Sequence, residues 1–159
     1  MAEVANRAGL TERPFFRHFA DKREVLFGGA GILNEFLVSS VAGAPDSAAP
    51  IDALAAALEA VGALLQERRD IARRRQTIID ANPDLQEREL IKLASFAAAL
   101  AGALRRRGVS DPAASLAAEA GVAVFKIAFA RWINETNPAD LPHIVRESLD
   151  ELKAVSAGK

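Results

Sequence analysis

From Asp111 to Glu135 the chain reads DPAASLAAEAGVAVFKIAFARWINE, a helical segment with a cap at Asp111 and proline at its first position. Its apolar residues, Leu116, Ala117, Ala120, Gly121, Val124, Phe125, Ala128, Phe129 and Trp132, fill more than one stripe of the helix. A helix apolar on several sides needs a neighbour on each of them. The segment therefore calls for a multi-helix assembly around it. Its small-residue stripe, Ala117, Gly121, Val124 and Ala128, would admit a close helix, either within a bundle or from a second subunit. The side bearing Leu116, Phe125 and Phe129 is expected to face the core. Dimerisation through the last two helices would add Val145, Leu149 and Leu152 to that small-residue stripe at the contact.

The rest of the chain agrees with an all-α fold. Alanine and leucine dominate, tyrosine is absent, and no stretch shows strand alternation. Helical segments are expected at 2–7, 11–18, about 21–42, 51–69, 70–81, 84–107, 111–135 and 139–155. Gly9, Asn82-Pro83 and Gly108 break them, and the turn-rich GAPDSAAP, 43–50, forms the clearest internal boundary. Gly28, Gly29 and Gly31 fall in one helix, where close packing against a neighbour is the expected reason for them. Two domains follow: residues 1–27 with a connecting helix to about 42, and residues 43–159.

Several chemistries are excluded by what the residues lack. There is no cysteine, so disulfides, thiolate catalysis and zinc-finger spacings are out. His18 and His143 are the only histidines, and neither belongs to a two-histidine metal spacing. Ser95, Ser115 and Ser148 lack the glycine-flanked turn of a serine nucleophile. No enzyme, cofactor or metal site is expected. No apolar run approaches about 20 residues, and no leader pattern opens the chain, so a cytoplasmic protein without a membrane segment is expected. Arg73 to Arg75 and Arg105 to Arg107 read as solvated helix faces, the second run also complementing a helix C-terminus.

One segment carries a functional signal. Two short helices joined by a tight turn at Gly9, with a longer helix behind them, have the outline of a helix-turn-helix. Leu10, Phe15 and Phe19 recur at helical spacing and would point inward. Glu12, Arg13 and Arg17 share another face, where arginine suits guanine O6/N7 and a carboxylate can accept from cytosine N4. Thr11, His18 and Lys22 lie near the segment ends, where phosphates are gripped. Residues 1–27 hold five basic against four acidic side chains, while the whole chain carries −1, so charge alone does not argue for nucleic acid.

VANRAGLTERPFFRHFADKREVLF, from Val4 to Phe27, resembles the helix-turn-helix of TetR-type transcriptional regulators. Val4-Ala5, Ala8-Gly9-Leu10-Thr11, Phe15-Phe16, His18-Phe19, Asp21-Lys22 and Val25-Leu26 match the family's pattern in order without a gap. IIDANPDLQERELIKLASFAAALAGALRRRG and AGVAVFKIAFARWINE resemble helices of its C-terminal domain. The resemblance implies a homodimeric repressor of a palindromic double-stranded DNA operator, released when a small apolar effector binds the C-terminal domain. It places Thr11, Glu12, Arg13, Phe16 and Arg17 at DNA-contact positions, and His18 and Lys22 at phosphate contacts. Phe36, Phe96, Leu100, Phe125, Phe129 and Trp132 read first as core and, on the functional reading, line the effector cavity.

The chain also departs from the pattern. Phe16 stands in place of a tyrosine, exchanging a phosphate-binding hydroxyl for a face suited to a thymine methyl, and Pro14 replaces a common Thr or Ser. The helix that normally precedes the motif is missing ahead of Met1, which leaves the head incomplete and points to a truncated start. The alternative is a ligand-binding or interaction dimer of the same fold that does not bind DNA.

Overall fold

The computed structural model describes residues 30–158. The helices expected at 2–7 and 11–18, and the seven residues from Thr11 to Lys22 expected to contact DNA, lie outside them. The chain divides into two compact units, Met1–Ile32 and Leu33–Lys159. Six α-helices are described: α1 (Ala30–Ala42), α2 (Pro50–Leu65), α3 (Arg69–Asp80), α4 (Pro83–Arg106), α5 (Ala113–Asn134) and α6 (Leu141–Ser156), with a 3₁₀ turn Gln66–Arg68 between α2 and α3. No strand occurs among the described residues, as an all-α fold requires.

The breakers act at the expected places. Pro83 opens α4 behind Asn82, and Pro50 opens α2, because the first turn has no intrahelical acceptor for a proline N–H to miss. Gly108 ends α4 in the left-handed region at φ 97°, and Val109 N donates back to Leu104 O at 3.0 Å, the return bond of a glycine-terminated helix. Asp140 caps α6 by accepting from His143 N at 2.9 Å. Between α2 and α3 no glycine or proline marks the break, so the 3₁₀ turn left no sequence signal.

Three helix ends are satisfied by side chains distant in sequence. Arg107 donates to Val41 O, Ala44 O and Pro45 O at 3.2, 2.9 and 2.7 Å, tying the end of α1 to the end of α4. Arg69 donates to Trp132 O and Glu135 O at 2.9 and 2.7 Å, closing α5. The Gln66 side chain accepts from Leu141 N at 2.6 Å, at the start of α6. Each serves backbone groups that a helix terminus leaves without a partner. The arginine run at 105–107 is thus divided in its duties: Arg105 pairs with Asp111 at 3.1 Å, and Arg107 completes another helix. Arg107→Ala is expected to destabilise the protein by about 1–2 kcal/mol, the worth of charged hydrogen bonds that remain partly solvated. Hydrogen exchange at residues 42–46 and the melting temperature should both report it.

α5 is the central helix, packing on α2, α3, α4 and α6. Leu54, Leu58, Leu100, Leu104, Trp132, Leu141, Ile144 and Val145 form the heart of the core, joined by Leu37 and Val41 from α1. The second unit therefore takes in most of α1. By length and composition α5 could also cross a membrane, a property missed in the sequence because Glu119, Lys126 and Arg131 interrupt its apolar run. At Gly31 an added Cβ would meet nothing within 4 Å among the described residues.

Candidate effector-binding and subunit-contact residues

All six residues expected at an effector cavity belong to one hydrophobic cluster. Leu100 and Trp132 are fully buried in it, and Phe36, Phe96, Phe125 and Phe129 are half-buried against it. On α5, Phe125, Phe129 and Trp132 form a ladder: the two phenylalanine rings lie 6.1 Å apart and nearly stacked, and Phe129 meets Trp132 at 5.7 Å with the rings tilted. Both are favourable aromatic geometries. Among the described residues the Trp132 indole N–H has no hydrogen-bond partner, although buried donors usually have one. On α4 the Lys92 ammonium lies 5.7 Å from the centre of the Phe96 ring, within cation–π range.

An open groove of about 400 Å³ runs beside α1, lined among the described residues by Asn34, Glu35, Val38 and Ser39. None of the six expected cavity residues lines it. Asn34 donates to the Ser95 hydroxyl at 3.0 Å, while its own amide oxygen is buried with no partner among the described residues. These polar groups gave no sequence signal, since nothing in the spacing of Asn34 and Ser95 announces that α1 and α4 meet there.

Near the Lys92–Phe96 pair, Glu89 joins α3 to α4. It accepts from Arg75 at 2.9 Å and lies 3.0 Å from the Lys92 ammonium. Burial pushes the Glu89 carboxyl up, but the Arg75 hydrogen bond and the charges of Lys92 and Arg75 outweigh it and hold the group below the usual carboxylate range. Burial lowers the Lys92 ammonium, with Glu89 opposing.

The residues expected at a subunit contact do not share one environment. Gly121, Val124 and Ala128 are buried inside the chain, and an added Cβ at Gly121 would sit 3.6 Å from both Leu54 and Leu58. The small-residue stripe admits the chain's own α2, the bundle alternative of the two uses foreseen for it. Ala117 is half-buried beside it, Val145 and Leu149 lie in the same core, and Leu152 is half-buried. Leu116, expected in the core, is 66% exposed. The reason is that an apolar helix offers several stripes, and periodicity does not say which of them meets its own chain.

An all-α bundle with a glycine-ended fourth helix and a central apolar fifth helix, behind a connecting helix, is the architecture expected of a TetR-type regulator. A family model for the MftR C-terminal domain, one of the TetR C-terminal domains, matches residues 48–157, and the chain belongs to that family of transcriptional regulators. A search of curated proteins finds no match at a significant level.

Proposed function

We propose that the chain is a ligand-responsive repressor that binds a palindromic DNA operator as a homodimer and releases it when a small apolar molecule enters the C-terminal domain. The ordered match of Val4 to Leu26 to the family's DNA-binding pattern, on a chain whose residues 48–157 belong to the family, is the observation that carries this reading. In such a device the effector must bind one spacing of the two DNA heads better than the other, since a ligand shifts an equilibrium only by its differential affinity. Thr11, Glu12, Arg13, Phe16 and Arg17 read the operator, and His18 and Lys22 hold phosphates. The protein acts without a catalytic centre, in the cytoplasm.

Arg13→Ala or Arg17→Ala is expected to weaken specific binding by about 1–3 kcal/mol for each base pairing it removes. Lys22→Ala should instead lower affinity for all sequences and flatten the salt dependence. Competition between a selected operator and random duplex, measured by fluorescence anisotropy, separates the two. Unchanged selectivity in both arginine variants sinks the base-reading assignment.

For the effector site, Trp132 is the only tryptophan and tyrosine is absent, so the native fluorescence reports that one position. Titration with 1-anilinonaphthalene-8-sulfonate should quench Trp132 emission by energy transfer in a saturable way, and a Phe129→Ser variant should weaken it. An unsaturable response identical in both proteins removes the aromatic ladder from the effector site.

A further inference from the structure

Trp132 closes the aromatic ladder of α5 at zero exposure, and its indole N–H meets no acceptor among the described residues. The indole nitrogen is a donor only. Burying such a donor without an acceptor is unfavourable, and a phenylalanine would keep most of the apolar contact without that penalty. The carbonyls of Trp132 and Glu135, at this end of α5, already accept from Arg69.

The surroundings narrow what the missing acceptor belongs to. Val122, Phe125, Phe129 and Trp132 recur at helical spacing and share one face of α5. The first three are half-buried and the last is enclosed, so the face passes from partly open to closed along the helix. α3 packs on α5, yet among the described residues only Ala72 of α3 enters the cluster to which these side chains belong. A body lying along this face meets aromatic rings first and a hydrogen-bond donor last.

Charge decides the kind of acceptor. The C-terminal end of a helix carries partial negative charge, which Arg69 answers through the two carbonyls it holds and which repels an anion. No charged side chain is fully buried among the described residues, so an ionised group taken to the enclosed end would lose its water without a buried counterion. A neutral oxygen meets neither objection.

We infer that the effector is not a pure hydrocarbon: its inner end bears a neutral oxygen acceptor, as in a ketone, ester or ether, that takes the Trp132 indole N–H, while its apolar body lies along Phe125 and Phe129. This rests on the effector-binding reading above. Trp132 is the only tryptophan, so nitrogen NMR of isotopically labelled protein shows one indole signal and reports this donor alone. Suitable probes are 2-acetylnaphthalene and 2-isopropenylnaphthalene, which share a shape and differ by an oxygen in place of a methylene. The ketone should bind saturably and move the indole proton downfield. The hydrocarbon should bind about fivefold more weakly, as expected for one neutral hydrogen bond lost, and leave the proton where it stood. Equilibrium dialysis of Trp132→Phe should find the two probes bound alike. An indole proton that is already downfield before any probe is added, with an exchange peak to water, means that water holds the donor and overturns the inference. Equal affinities in the native protein, or a preference for the ketone that survives in Trp132→Phe, overturn it too and leave the effector site standing. Absence of saturable binding by either probe removes the site together with the inference, whereas operator selection is measured without a probe and is untouched.

Discussion

Trp132→Ala is expected to lower the unfolding free energy by about 3–5 kcal/mol, more than any other single truncation in this core, because a ring at zero exposure leaves a cavity its neighbours cannot fill. Trp132 sits where α5 ends, against Phe129 and beneath the Arg69 guanidinium that holds its carbonyl. Its removal loosens the packing that positions that clamp. Trp132→Phe should cost much less. It keeps most of the apolar contact, and the indole N–H it deletes bonds to nothing among the described residues, so no hydrogen bond with them is broken. Thermal unfolding followed by far-UV circular dichroism should show a fall in Tm on the order of 10 °C for alanine. Equal losses for alanine and phenylalanine would mean that the N–H has a partner.

Glu89→Gln is the second large effect. It leaves Arg75 and Lys92 facing each other across α3 and α4 without the carboxylate between them. Breaking a well-buried ion pair costs about 3–5 kcal/mol; both ends here keep some water, and about 1–3 kcal/mol is expected. The pH dependence has a definite sign. A carboxyl held below its unfolded value contributes stability that is complete above that unfolded value and disappears as pH falls through the folded one. The native protein should therefore lose stability more steeply than Glu89→Gln below the ordinary glutamate range, and the two should converge in stronger acid. Parallel denaturation curves across that window would remove Glu89 from the acid response.

Much of the fold was legible because local chemistry decides it. Pro83 and Gly108 set helix ends through backbone groups within a few residues, so their effects are written into neighbouring letters. Arg107, Arg69 and Gln66 were not legible in the same way. Each reaches a helix end more than 60 residues away, and only the packed bundle says which end that is. The orientation of α5 failed for a related reason: Gly121 and Leu116 both lie on apolar stripes, and burial by α2 chose the first. The six residues Phe36, Phe96, Leu100, Phe125, Phe129 and Trp132 pack in or against one hydrophobic cluster, the core reading of their spacing, whereas Asn34 and Ser95 meet only through the tertiary fold.

The most direct test of the proposed function is selection from a random-sequence duplex pool by the full chain at low and moderate salt. Enrichment of an inverted repeat, with affinity that falls steeply as salt rises, is the expected result. Binding that falls with salt but enriches no sequence, or no binding at either salt, would contradict operator recognition and leave a dimer of the same fold that senses ligands without reading DNA.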